Sequence, residues 1–444
     1  DLAGALISPV LAMAAGTFLC WWTWRMQIRF RWAALILFAI SPILVHGTIL
    51  GRPDHQSLLI LLIMVAICAD WTVIRSRDRR WSVVSGLAWG LALWVSMYEP
   101  LVLLVLSLIG FATMPYFATD TRPENKSSES AGFSITNVGR DLFTAPHRRI
   151  GWYVFLAVVG VALLIERRIP SLAIFVNDPL FVNWSRSIGE LSPVRLFSGI
   201  WLTWLGWLVV VVPFLLGWLI VRKNRAAGFP PPAVILLIAL FFLTMWQARW
   251  GYFLALIFVL SIPFLLNYIP WRSAAWAVFV LSLWPVLAEW DRKIWPDPAT
   301  AEQRFEQRHE AVELRALAIE LISGDRLPFV APWWLSPAIA YWSGQPGVAG
   351  SSHESLPGIA DTARFYLETE ANAAGELLQR RGVRRVIAYD AERVEKTSVL
   401  ILGRAASNQC MAEVLDYRAT QAPAFLRLSA QNGTAKIFEV TNKW

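Results

Sequence analysis

Charge is scarce in this chain: Asp, Glu, Lys and Arg make up 16% of its 444 residues, where a soluble domain carries about a quarter. Such a composition excludes an ordinary soluble protein of this size. Cysteine is scarcer still, and Cys20, Cys68 and Cys410 form neither a metal-ligand spacing nor a disulfide framework. Two of them lie in apolar runs, where a thiol serves as a small packing residue. A Walker-type loop, a dinucleotide fingerprint and a His-Glu-x-x-His zinc signature are all missing, which argues against a nucleotide-driven pump. No signal peptide is visible. The first residue is Asp1 rather than Met, followed at once by an apolar run, so a processed chain or a fragment without its upstream residues is expected.

What the chain has in abundance is apolar surface. Hydrophobic residues make up 56% of it, with 25 Trp and 24 Phe, and its few charges gather between apolar runs of roughly 17–25 residues, the length that spans hydrocarbon as helix. About ten such spans are read, near 3–24, 32–50, 57–74, 82–98, 101–117, 150–166, 196–221, 231–246, 251–269 and 273–289. The formal charge of +8 comes from basic clusters at helix ends, so it points to membrane topology rather than to nucleic acid. Arg25, Arg29 and Arg31, then Arg75, Arg77, Arg79 and Arg80, then Arg222, Lys223 and Arg225 fall in loops that parity places on one side, taken as cytoplasmic. A Ser/Asn-rich stretch at 118–149 joins them through His147-Arg148-Arg149.

Parity then places Asp54, the Glu99-Pro100 corner, the loop 167–195, Arg249 and the tail from 290 onward on the external face. The expected organisation is a transmembrane domain over 1–290 with an external loop at 167–195, followed by an external α/β domain over 291–444. In that tail an amphipathic helix at 302–321 precedes strands at 327–330, 346–349, 385–389 and 436–440, with a helix at 361–380 among them. The expected protein is a multi-pass membrane protein.

Gly51-Arg52-Pro53-Asp54-His55-Gln56 is the polar knot between two long apolar spans. Ionisable groups so close to hydrocarbon usually mark a functional site. In the loop 167–195, Phe181, Trp184 and Ile188 recur at helical spacing, the pattern of a helix lying on the membrane surface, with Glu190 carried toward the helix mouths. Arg249 sits between Trp246 and Trp250, either snorkelling to the headgroups or pairing with an anionic ligand. Glu99 abuts Pro100 at a hairpin and is expected to be solvated. His353, in Ser351-Ser352-His353-Glu354-Ser355, is a weaker ligand candidate, since catalytic triads are recognised in space and not as neighbours.

Four of these marks, taken in order, resemble the catalytic subunit of oligosaccharyltransferases and its single-subunit bacterial and archaeal relatives, membrane glycosyltransferases of the GT-C class. Gly51 to Gln56 resembles the acidic motif of the second external loop, and Ser187-Ile188-Gly189-Glu190 the Ser/Thr-x-x-Glu motif of the fifth. Arg249-Trp250 resembles the Arg-Phe pair at the acceptor site, and Trp333-Trp334 with Tyr341-Trp342 the Trp-Trp-Asp-Tyr-Gly block. The resemblance implies a helical GT-C membrane domain with a C-terminal soluble α/β domain. It also implies transfer of sugar from a polyprenyl-linked donor to a protein, glycan or lipid acceptor by metal-assisted inverting displacement.

Residue by residue, it makes Asp54 and Glu190 catalytic and, with His55, ligands of Mn²⁺ or Mg²⁺. Arg249, Trp333 and Trp334 would bind the acceptor, and Gln56 would stand as a neutral residue at the second acidic position. Two departures go with it. The family's first acidic external loop would precede Asp1, so the fragment alone is expected to be inactive. Leu335-Ser336 stands where the block has its acid, which puts sequon recognition in question. The competing reading is a polytopic permease or a non-catalytic envelope-assembly component on the same scaffold. Relatives in the same class that act on lipid or glycan are a further alternative.

Overall fold

The computed structural model describes residues 2–50, 55–112, 145–167, 178–221, 231–407 and 409–441. They form two compact units, one of Asp1–Pro170 with Pro193–Trp295 and the other of Ser171–Ser192 with Pro296–Trp444.

The first unit is helical. Its elements begin with α1 (Leu2–Arg25), α2 (Arg31–Ile40), α3 (Pro42–His46), α4 (His55–Ser76), α5 (Arg79–Val95), α6 (Tyr98–Ala112) and α7 (Pro146–Glu166). After α8 (Pro179–Ser185), which belongs to the second unit, come α9 (Ile200–Leu205), α10 (Leu208–Val221), α11 (Pro231–Trp246), α12 (Gly251–Leu266), α13 (Arg272–Ser282) and α14 (Trp284–Ile294). Among the described residues five stretches are long and apolar enough to cross a membrane: Ala3–Arg25, His55–Ser76, Arg148–Glu166, Ala248–Leu266 and Arg272–Ile294. Shorter apolar helices accompany them.

Several expected spans are interrupted, each for a local reason. The run 32–50 breaks between α2 and α3, where Ser41 is extended and Pro42 opens the next helix. The run 196–221 breaks at Gly206, whose φ of 77° suits only a residue without a Cβ. Helix α12 is buried along its whole length, as an all-round apolar helix must be. Helices α2, α3, α4, α9, α11 and α13 pack against it.

Side-chain contacts sort the helix ends. Trp22 lies 6.2 Å from Trp71, Arg75 covers Phe264 at 5.7 Å, Arg148 covers Phe111 at 5.1 Å, and Phe30 meets Trp276 at 5.9 Å. One end of the unit therefore gathers the C-termini of α1, α4, α6 and α12 with the N-termini of α5 and α7. At the opposite end Ser8 Oγ lies 3.2 Å from Ser57 Oγ, and Trp94 Nε1 donates to Glu166 at 3.3 Å. Helices α5 and α7 run parallel, so closely that a Cβ on Gly86 would come within 2.1 Å of the Gly151 carbonyl oxygen.

The second unit is α/β. Its helices are α8, α15 (Pro298–Ile319), α16 (Ser336–Ser343), α17 (Leu356–Leu367), α18 (Ala371–Arg380), α19 (Ala391–Leu402) and α20 (Met411–Tyr417). Strands β1 (Phe329–Val330), β2 (Arg385–Tyr389), β3 (Leu426–Gln431) and β4 (Ala435–Val440) form one sheet in the order β1-β2-β4-β3. β1 pairs parallel with β2, and the other pairs are antiparallel, with Ile387 opposite Ile437. Phe329, Val386, Phe438, Phe365 and Leu378 fill the core, and the Tyr366 hydroxyl donates to the Ile387 carbonyl at 2.6 Å.

Three expectations in this unit need correction. Residues 361–380 form two helices, because Glu368 Oε1 accepts the backbone N–H groups of Thr369 and Glu370 at 3.0 and 3.2 Å and diverts them from the helix ladder. The segment 346–349 contributes a single bridge, Gly347 to Phe329. The aromatic face of α8 does not lie on a membrane surface but packs within this unit, where Trp184, Phe181 and Ile188 meet Leu356, Ile359 and Ile401. Helical spacing reveals that a face is buried; it does not reveal against what.

Asp361 anchors α17 to α18. Its side chain is 6% exposed and accepts from Arg364 Nη1 at 2.6 Å and Arg381 Nε at 2.8 Å. Burial alone would raise its pKa, but the hydrogen bonds from Arg381 and Arg364 and the charges of Arg381 and Arg380 outweigh it, holding the carboxyl below its ordinary range. A depressed carboxylate contributes stability above its unfolded pKa, roughly 3.9, which is lost as pH falls through the lower folded value. Asp361→Asn should cost about 1–3 kcal/mol near neutral pH and flatten the acid limb, measured as hydrogen-exchange protection of β2 in the intact chain. In the helical unit, Gly86→Ala should lower the unfolding temperature by several degrees. Gly160→Ala, on α7 with nothing within 4 Å of the added carbon, should leave it unchanged.

Candidate functional site

Asp54 and Gly51 to Pro53 lie outside the described residues. Their neighbours do not: His55 opens α4 and is exposed, while Gln56 is buried, with its Nε2 3.4 Å from His55 Nε2. The preceding helix ends at His46, whose Nδ1 lies 3.0 Å from the Tyr252 hydroxyl, the two rings stacked at 6.4 Å. A Cβ on Gly47 would meet the Tyr252 ring at 2.8 Å. Tyr252 stands on the first turn of α12, three residues after Arg249. The end of α3, the helix before the acidic knot, therefore meets the first turn of α12, next to the turn that carries Arg249.

Arg249 occupies the single 3-10 turn Ala248–Trp250 between α11 and α12. Its guanidinium forms an ion pair with Glu99, whose side chain is 1% exposed against 21% for the arginine. Ser96 Oγ donates to the other Glu99 oxygen at 2.6 Å. Trp250 is wholly buried and faces Tyr98 at 5.5 Å. The expectation of a solvated Glu99 at a hairpin corner is overturned. Glu99 and Pro100 belong to the first turn of α6, the carboxylate points inward, and the counter-ion that makes this tolerable is Arg249.

Glu190 belongs to the second unit, in the short turn Gly189–Leu191. The segment that carries it is tied down by Trp184, which meets Trp333 at 5.6 Å edge-on. Trp333 in turn meets Trp334 at 6.0 Å. The motif preceding Glu190 and the tryptophan pair, 150 residues apart in the chain, are thus joined in one cluster. The indole N–H groups of Trp184, Trp333 and Trp334 are buried with no acceptor among the described residues.

Trp334 has a partner that sequence reading missed. Arg393 lies over its ring at 5.2 Å and donates through Nη1 to the Tyr389 hydroxyl at 3.1 Å, and that hydroxyl donates to Glu310. Burial and the Glu310 hydrogen bond push the tyrosine pKa up to about 12, so it stays a protonated donor. Nothing in the spacing of Glu310, Tyr389 and Arg393 announces this chain. Ser336 does not replace the missing acid of the tryptophan block, because its hydroxyl donates to the Ala331 carbonyl at 3.0 Å. His353 is exposed on the turn His353–Ser355 before α17.

No cluster of three or more His, Cys, Asp or Glu able to hold a metal ion occurs among the described residues. The candidate donors, the carboxylates of Asp54 and Glu190 with the imidazole of His55, are oxygen and nitrogen groups of the kind a hard or borderline divalent cation takes.

No protein-family model matches the chain, and no curated protein matches its sequence. Solved structures do match in fold. An Archaeoglobus fulgidus oligosaccharyltransferase in its apo form is 13% identical, over 97% of this chain and 69% of that one, at a TM-score of 0.58. The oligosaccharyltransferase AglB of that organism, in complex with an inhibitory peptide and a dolichol-phosphate, is 14% identical over 91% of this chain, at a TM-score of 0.56, and the match spans 60% of its length. A complex of an A. fulgidus oligosaccharyltransferase with Zn and sulfate is 14% identical over 96% of this chain and 67% of that one, at 0.52. Over most of its length the chain therefore has the fold of the archaeal oligosaccharyltransferases, a polytopic helical membrane protein with a C-terminal globular domain.

Proposed function

We propose that this protein is a glycosyltransferase that moves sugar or oligosaccharide from a polyprenyl-phosphate or -pyrophosphate donor to a protein acceptor at the external membrane face. The observation that carries this reading is the fold likeness to archaeal oligosaccharyltransferases over more than nine-tenths of the chain. The gathering of polar groups supports it: His55, Gln56, Glu99 and Arg249 stand at one end of the helical unit, away from the basic helix ends.

In this reading Asp54, His55 and Glu190 hold a divalent cation, Mn²⁺ or Mg²⁺. When bound, that ion supplies charge stabilisation for a leaving phosphate or pyrophosphate. Glu190 also holds the acceptor nucleophile, so that it attacks the anomeric carbon directly with inversion. Arg249 takes a carboxylate of the acceptor in competition with Glu99. Trp333 and Trp334, braced by Trp184 and Arg393, give the acceptor an aromatic wall. A lipid or glycan acceptor is the second reading, favoured by one observation: Leu335-Ser336 follows the tryptophan pair, with the Ser336 hydroxyl committed to backbone.

Membranes carrying the full-length protein should transfer sugar from a lipid-linked donor, with loss of transfer on chelation and recovery with Mn²⁺. Asp54→Ala and Glu190→Ala should each lower the rate by at least about 10²-fold. Transfer that survives both substitutions would instead favour a permease or an assembly component. Removing one member of a buried ion pair costs about 2–5 kcal/mol. Glu99→Gln and Arg249→Gln should therefore each lower thermal stability, while the double variant recovers part of the loss. An additive double variant would show that the pair is not coupled.

A further inference from the structure

The basic end of the helical unit carries a feature that sugar transfer does not use. Helices α5 and α7 are parallel neighbours: Ser82 Oγ donates to the Arg148 carbonyl at 3.3 Å, and Gly90 abuts Val158 two turns further on. Their first turns therefore lie side by side. Arg79 and Arg80 open α5, and Arg148 and Arg149 stand in the first turn of α7. Among the described residues none of the four makes an ion pair.

Two acids lie nearby, and one of them, Asp70, is within electrostatic reach of Arg148. Asp70 accepts from Ser85 Oγ at 2.6 Å and Trp89 Nε1 at 2.9 Å, and Asp78 caps α5 by accepting from Arg80 N at 2.9 Å. Beneath the arginines a cavity of about 50 Å³ is lined by Asp70, Ser82, Ser85, Trp89, Arg148 and Trp152. Arg148 is steadied over Phe111, and Trp21, 47% exposed, stacks on Trp81 at 5.7 Å. Tryptophans at this level are the signature of a headgroup boundary.

We propose that the adjoining first turns of α5 and α7 bind the phosphate of an anionic phospholipid through Arg79, Arg80, Arg148 and Arg149. Orienting a membrane protein needs only positive charge in the loops on one side. It does not need two pairs of arginines brought onto the adjoining first turns of two packed helices. Guanidinium forks match phosphate oxygens, basic pockets between membrane helices bind acidic headgroups, and two parallel helix N-termini add partial positive charge in the same direction.

The test uses the purified full-length protein in a neutral detergent. Added phosphatidylglycerol should raise the unfolding temperature by several degrees and remain bound in native mass spectrometry, whereas phosphatidylcholine should do neither. Arg148→Gln/Arg149→Gln should weaken phosphatidylglycerol retention by roughly tenfold or more. Arg79→Gln/Arg80→Gln, which leaves α7 untouched, should do the same and serves if the first pair does not fold. Arg308→Gln/Arg315→Gln, an equal charge change on exposed positions of α15, should leave retention unchanged. Equal stabilisation by phosphatidylcholine, equal loss in the α15 control, or reproduction of the shift by inorganic phosphate alone would each overturn the proposal.

Discussion

The helical unit depends on one buried charge pair. Glu99, on the first turn of α6, is almost fully removed from solvent, and a carboxylate there is tolerated only with a cation and hydrogen bonds around it. Arg249 supplies the first from the turn between α11 and α12, and Ser96 supplies the second. The pair ties two hairpins that are 150 residues apart in sequence. The same turn leads into α12, the fully buried central helix, and through Tyr252 it also holds the end of α3. Geometry at the polar end of the bundle therefore follows from where this pair sits.

That pair also changes what Arg249 can do. A cation snorkelling to the headgroups would be available to any anion. Arg249 is already neutralised by an internal carboxylate, so in the proposed reading an acceptor carboxylate would have to displace or share it. The guanidinium has five donors in a fixed fork, which leaves room for a second partner on the side away from Glu99. In that reading an acidic acceptor residue would be a preference and not a requirement, since the arginine has its counter-ion without one.

Much of the fold was legible because hydrocarbon imposes simple rules. Length and apolarity mark helices, and the expected grouping of arginines at one end holds for Arg75 and Arg148, whose contacts place both at the same end of the bundle. The soluble sheet was legible where strands are buried on both faces, as in Val386-Ile387-Ala388, and illegible in β3, where Arg427 and Ser429 interrupt the apolar pattern. Of the candidate site, the identities of Glu99, Arg249 and the tryptophan pair could be read. Their partners could not, since Glu99 with Arg249, Trp184 with Trp333, and Trp334 with Arg393 join residues 59 to 150 positions apart, at spacings no periodicity encodes. Asp70 was overlooked for the opposite reason: it stands within an apolar span and looked like a minor interruption, yet it holds Ser85 and Trp89 and so ties α4 to α5.

The two ends of the helical unit divide the work by charge. At one end, among the described residues, arginines outnumber acids and most are exposed, suited to a layer of phosphates. At the other, ionisable groups are few, and the best described of them, Glu99 and Arg249, are turned inward and paired. Charge turned outward fixes a protein in its membrane; charge turned inward costs desolvation and is kept only where geometry has a use for it. By that reasoning the inward pair, and not the more numerous arginines, marks the end of the bundle where chemistry belongs. Through Tyr252 its turn also holds His46 and Gly47, at the end of the helix that precedes the acidic knot in the chain.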